Sequence, residues 1–127
     1  MKILHRRSAP RYRRPEGITS FLLASSRTCG ARHLSATLVE IEPGGHQRVH
    51  SHDPEQIYFI LEGRGVMRVG EEEREVEEGD CIFIPSRAAH GIENRTKGVL
   101  RYFSAASPPF GASDLANLWP LAPEATT

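Results

Sequence analysis

What most limits the fold of this chain is its punctuation. Short apolar runs are interrupted at close intervals by Pro43-Gly44-Gly45, Asp53-Pro54, Gly70, Glu78-Gly79-Asp80 and Pro85. An amphipathic helix needs an unbroken stretch of 3.6-residue periodicity, and almost none exists before the tail. The runs between the breaks are instead strand-like, rich in β-branched and aromatic residues: Ile18–Ala24, Ser35–Glu42, Gln56–Glu62, Gly65–Val69, Arg74–Val76, Asp80–Ile84, His90–Asn94 and Leu100–Ala105. Regular short strands of this kind predict an all-β sandwich or barrel. Gln56–Leu61 (QIYFIL) is apolar on both alternating faces, which predicts a strand covered on both sides. Helix is confined at most to Ser113–Leu118, where Ser113 would cap a single turn.

At 127 residues the chain fits one domain, large enough to bury a core without disulfides or structural metal. The expected division is a basic, flexible arm over 1–15, a barrel over 16–110, and a tail over 111–127 that packs on the barrel and frays at its end. Formal net charge is zero, so bulk charge draws the protein neither to nucleic acid nor to an anionic membrane. Charge is unevenly placed, however. The first fourteen residues carry Lys2, Arg6, Arg7, Arg11, Arg13 and Arg14 and no acid, whereas Glu71–Asp80 holds seven acids against Arg74 alone. The basic segment reads as a solvated terminus.

Cys29 and Cys81 match no metal or redox spacing, which predicts free thiols in a reducing compartment. The apolar run Phe21–Ala24 is too short for a signal-peptide core, and no stretch approaches the roughly 20 apolar residues of a membrane span. A soluble, cytoplasmic protein with no membrane partner is expected.

Three of the six histidines stand in a suggestive order. His50 and His52 are two residues apart, so on an extended chain both imidazoles leave one face, where two nitrogen donors can grip one metal ion. Alone, such a pair is common on exposed strands. Its surroundings sharpen it: Gly44 lies six residues before His50, Gln56 four after His52, and Gly63 seven after Gln56. Sixteen positions after Gly63 begins a second block, GDCIFIPSRAAHGIEN, from Gly79 to Asn94.

These two blocks resemble the paired motifs of the cupin superfamily. The first motif, G-x5-HxH-x3,4-E-x6-G, corresponds here to GGHQRVHSHDPEQIYFILEG, and in the second, G-x5-PxG-x2-H-x3-N, Gly79, Pro85, His90 and Asn94 fall in register. The resemblance implies a single-domain cupin, a double-stranded β-helix or jelly-roll barrel. It also implies one divalent metal ion (zinc, nickel, iron, cobalt or manganese) held by His50, His52, Gln56 and His90. Two residues depart from the pattern. The family's ligand glutamate is Gln56 here, directly after Glu55; the motif count points Gln56 inward, and a one-residue slip would substitute Glu55. Arg87 replaces the glycine of the PxG turn, either as a tolerated side chain or as a guanidinium near the barrel mouth. His46 shares the parity of His50 and is read as a surface residue; His5 and His33 have no assigned role.

A neutral amide in place of the carboxylate leaves the cation its full formal charge, which favours anionic ligands and Lewis-acid chemistry. The expected partner is therefore a small anionic or polyhydroxylated molecule: a sugar, a sugar acid or a carboxylate. Isomerase- or lyase-like catalysis is the first reading, with Tyr58, Arg101 or Tyr102 moving protons. A dioxygenase resembling the quercetinase-like cupins and a non-catalytic binding module are the alternatives. Small cupins also imply a homodimer, packed sheet on sheet with Ile18–Ala24 lent to the partner.

Overall fold

Alternation of apolar and polar residues turns one side of each strand toward a shared interior, and the described residues form ten antiparallel strands in two sheets. The computed structural model describes residues 1–111. After a short 3-10 turn at Arg6–Ser8 come β1 (Arg11–Arg14), β2 (Ile18–Leu22), β3 (Ser35–Ile41), β4 (His46–His50) and β5 (Glu55–Glu62). Then follow β6 (Arg64–Val69), β7 (Glu72–Glu77), β8 (Cys81–Ile84), β9 (His90–Glu93) and β10 (Leu100–Ser107). One sheet has the order β1-β2-β3-β10-β5-β8 and the other β4-β9-β6-β7, facing each other as a jelly-roll barrel. The helical turn expected at Ser113–Leu118, like the tail from residue 112 onward, lies outside the described residues.

All eight expected strands are present, with ends shifted by one to a few residues, and two more appear. Neither added strand alternates in hydrophobicity. β1 (RYRR) is held by its backbone pairing with β2, from Arg11 opposite Phe21 to Arg14 opposite Ile18. Its side chains find polar and aromatic partners: the Arg11 guanidinium lies 4.9 Å from the Phe21 ring centroid, and Arg13 pairs with Glu42 at 2.7 Å. β4 (HQRVH) is polar because its inner face serves the site described below.

The core is made by alternate residues of the long strands. β3 and β10 alternate between buried and half-buried positions along their lengths, and Ile18, Val39, Ile41, Ile60, Met67, Ile84, Ile92 and Leu100 join in one cluster. Full burial of each such side chain is worth about 1.5–3 kcal/mol. The outer face of β5 departs from the expectation of cover on both sides. Phe59 and Leu61 are 39% and 40% exposed, and Phe83 beside them on β8 is 55% exposed. No described element of the chain lies over that face, so its apolar residues meet solvent in the single chain.

Two local features set the geometry of the polar end. The β4–β9 register slips by one residue between Gln47, opposite Ile92, and His50, opposite His90. This bulge lets Gln47 and His50 both turn inward despite their odd spacing. The strand across from it must come close: a Cβ on Gly91 would stand 2.9 Å from the Gln47 carbonyl oxygen, which accounts for glycine there. The second feature is Asn94, fully buried, whose amide donates to the Ile41 and Gly98 carbonyls and whose oxygen accepts from the Thr96 backbone. This motif residue closes the turn after β9.

Candidate metal centre

His50 ends β4, His90 opens β9 directly opposite it, and His52 lies two residues past the end of β4, in the loop before β5. The alternation argument for a shared face therefore applies only to the start of this pair; the loop brings His52 round. The ring centroids are 4.3 Å apart for His50 and His90, 5.0 Å for His52 and His90, and 5.5 Å for His50 and His52. One nitrogen of each lies within 4.8 Å of the others, close enough for a single ion to bind all three.

The backbone biases which nitrogen each ring offers. Nδ1 of His50 lies 3.0 Å from the Arg48 carbonyl oxygen, Nδ1 of His52 lies 3.1 Å from that of Pro54, and Nδ1 of His90 lies 2.9 Å from that of Ala88. A carbonyl oxygen only accepts, so these contacts favour the proton on Nδ1, which leaves the buried Nε2 of His90 with its lone pair. Such contacts fix the tautomer and ring orientation that metal ligation requires. His90 is the most telling of the three. It is fully buried, and its Nε2 has no hydrogen-bond partner among the described residues. A buried acceptor left so costs about 1–3 kcal/mol. Burial above all, with a smaller contribution from the neighbouring imidazoles and against the Ala88 contact, pushes its pKa down to about 4.

Gln56 is buried on β5 and Glu55 is exposed, so the glutamine faces the interior. Its Nε2 donates to Ser104 Oγ on β10 at 2.6 Å, which aims Oε1 at the imidazoles, 2.8 Å from His52 Nε2. His52 therefore has an oxygen acceptor at each ring nitrogen, and a single ring proton serves only one of them. A cation accepting lone pairs from His52 Nε2 and Gln56 Oε1 would resolve this, and a donor set of three imidazoles and one amide oxygen suits zinc, nickel, iron, cobalt or manganese.

Tyr58 and Tyr102 form the layer between this cluster and the aliphatic core. Their rings stack with centroids 4.2 Å apart, and both are essentially unexposed. Tyr58 donates to Gln47 Oε1 at 2.9 Å, and Gln47 Nε2 donates to the Tyr102 hydroxyl at 3.2 Å. Burial pushes the Tyr58 pKa up to about 12 and that of Tyr102 well above its ordinary value. Tyr58 is therefore a neutral donor at physiological pH. Arg101 stands elsewhere: it reaches from β10 to Glu40 at 2.9 Å and to Glu62, none of which lines the cluster. His46 is exposed, His5 accepts from the Arg7 backbone, and His33 is exposed.

A cavity of about 40 Å³ adjoins the imidazoles, lined by His50, His52, Gln56, Tyr58, Tyr102 and Gln47, with Ser20, Thr37, Val39, Ser104 and Phe110 completing the wall. Phe110 meets His52 edge to face, with centroids 5.3 Å apart. Gln47, Ser104 and Phe110 were not singled out from the sequence. Ser104 could have been found from parity, since it follows Tyr102 by two on a strand; Gln47 could not, because the bulge inverts its parity. An open groove of about 270 Å³ shares Ser20, Gln47 and His50 with the cavity and continues past Arg14, Glu16 and Arg48. Arg87 holds the left-handed backbone conformation, φ 66°, the single non-glycine residue among those described to do so. That conformation costs about 1–2 kcal/mol for a side chain with a Cβ.

Comparison with known proteins agrees with this geometry. The dimethylsulfoniopropionate lyase DddW of Ruegeria pomeroyi is 29% identical over 90 residues, covering 71% of this chain and 59% of that protein. The oxalate-binding protein of Thermotoga maritima is 35% identical over 68 residues, covering 50% of this chain and 56% of that protein. The chain thus spans less than three-fifths of the length of either relative. Among solved structures, KdgF from Halomonas sp. superposes with a TM-score of 0.75 at 19% identity, covering 91% of this chain and 99% of that one, a likeness of fold. The Cupin_2 family, described as a cupin domain, matches residues 37–105, more than half of the sequence. With two facing antiparallel sheets, three converging histidines and that match, the chain belongs to the cupin family.

Proposed function

We propose that this protein binds one divalent cation through His50, His52, His90 and Gln56 Oε1, and that the site takes a small carboxylate. The observation that carries this reading is the buried, unpartnered Nε2 of His90, on which ring nitrogens of two further imidazoles converge. When bound, the cation would supply Lewis-acid polarisation of the ligand's oxygens, with its charge uncompensated by any anionic ligand.

The surrounding residues narrow the ligand class. Ser20, Thr37, Ser104, Tyr58 and Tyr102 offer hydroxyls, and among the described residues no Lys or Arg lines the 40 Å³ cavity. By the same measure one water needs roughly 10–15 Å³. The space suits a carboxyl group better than a sugar ring, so among the ligands the sequence allows a small carboxylate fits best. Any larger portion would extend into the groove beside Arg14, Glu16 and Arg48, where Arg48 is paired with Glu16 at 2.9 Å and the three side chains together carry one net positive charge, which suits an anion. The names of the two curated relatives point the same way for those proteins, since oxalate and dimethylsulfoniopropionate are both small carboxylates. Tyr58, neutral and hydrogen-bonded to Gln47, orients the polar wall by donating rather than by abstracting protons. Phe110 shields the cluster from bulk water on the His52 side. The outer face bearing Phe59, Leu61 and Phe83 would be covered by a second copy of the chain in a homodimer.

Cobalt substitution tests this reading. The visible bands of cobalt-loaded protein should shift on titration with oxalate or acetate and stay unchanged with a hexose. Bands indifferent to every carboxylate, with cobalt bound, would remove the carboxylate reading while leaving the metal site.

A further inference from the structure

The loop that carries His52 lies between two strands, and residues 51–54 pair with neither sheet. Something other than a strand ladder must hold it. The turn between β8 and β9 does so at three points. The Arg87 backbone N–H donates to the His52 carbonyl at 2.8 Å, the Ser86 hydroxyl donates to the Asp53 carbonyl at 2.6 Å, and the Arg87 Nε donates to Asp53 Oδ1 at 3.0 Å. The same turn supplies the Ala88 carbonyl that orients His90. One short segment thus ties together two histidines that arrive from different parts of the chain. It does so with a side chain in a left-handed conformation that glycine would adopt freely.

We propose that Arg87 is a positioning residue, which acts through Asp53 to hold the His52 loop in register with His90 and so raises the affinity of the site for its metal ion. This deepens the proposed metal site and rests on it for the binding readout. Glycine at this position, although relaxed, would keep the backbone tie and the Ser86 contact but lose the ion pair to Asp53. Arg87 and Asp53 side chains are 80% and 77% exposed, so salt should screen their attraction and the effect should be modest.

The test compares wild type, Arg87→Gly, Asp53→Ala and the double variant. Zinc affinity is read by competition with a chromophoric chelator at low and high salt, and His52 imidazole signals are read by NMR in metal-free protein. Either single variant should weaken zinc three- to tenfold at low salt, the double variant no further, and high salt should erase the difference. Arg87→Lys should restore part of the loss. The melting temperature of metal-free Arg87→Gly should equal or exceed that of wild type, which separates positioning from a general loss of structure. In the metal-free protein both single variants should broaden the His52 signals and leave those of His46 unchanged. Zinc binding as tight in Arg87→Gly as in wild type, or losses that multiply in the double variant, would overturn the clamp. Were wild type itself to bind neither zinc nor nickel, iron, cobalt or manganese, the metal reading would fail, and unchanged His52 signals would then overturn the clamp independently.

Discussion

The interior of this barrel has two ends of opposite character, and both are written on the same strands. Along β5 the inward residues run Gln56, Tyr58, Ile60; along β10, antiparallel to it, they run Ser104, Tyr102, Leu100. At one end, Ile60, Ile92 and Leu100 are wholly buried in one apolar cluster. At the other, His90, Gln56 and Ser104 are buried as deeply but are polar, and His90 Nε2 is left without a partner. The tyrosine pair forms the boundary. The aliphatic end is complete as it stands and stabilises the fold through lost water contact. The polar end withholds some of that stability and is completed only by something that accepts nitrogen lone pairs.

That contrast can be broken in graded ways. Leu100→Ala should produce the largest change, a loss of about 2–5 kcal/mol in urea denaturation from the cavity it leaves. Zinc affinity should survive, because the polar end is untouched. Alkaline pH attacks the boundary. Tyr58 has a folded pKa of about 12 against an unfolded value near 10, so its contribution is intact below pH 10 and disappears as pH rises toward 12. Stability should fall by on the order of 2–3 kcal/mol across that window, with the phenolate absorbance of Tyr58 emerging only alongside unfolding. Tyr58→Phe should flatten the fall. His90→Leu should do the reverse of a usual core substitution. Replacing an unsatisfied group by an apolar one of similar size should raise metal-free stability by about 1 kcal/mol while abolishing zinc binding. The smallest effect is expected for Arg101→Ala. Its pairing with Glu40 and Glu62 lies on the outer surface, so the loss should be up to about 1 kcal/mol and zinc affinity should not change.

Much of this is legible in the sequence where pattern and chemistry coincide. Eight strands follow from alternation and punctuation, and the inward direction of Gln56 follows from counting along the first motif. β1 and β4 are not legible in that way, because RYRR and HQRVH carry no apolar stripe; one is recruited by backbone pairing and the other lines a polar site. Gln47 escapes for a sharper reason: the bulge between it and His50 reverses the parity on which any count depends. Arg87 is visible as a departure from the motif, but no local rule shows that it reaches Asp53 across 34 residues of chain. Phe110 lies beyond the last strand, where no periodicity tells which way it turns.

Whether the polar end holds a metal ion is decided by stoichiometric metal analysis by mass spectrometry on protein purified without a polyhistidine tag. Wild type should carry close to one divalent ion per chain, His90→Ala none, and Gln56→Ala should retain it more weakly. Wild-type protein that stays empty after soaking in zinc, nickel, iron, cobalt and manganese would contradict the proposed metal site.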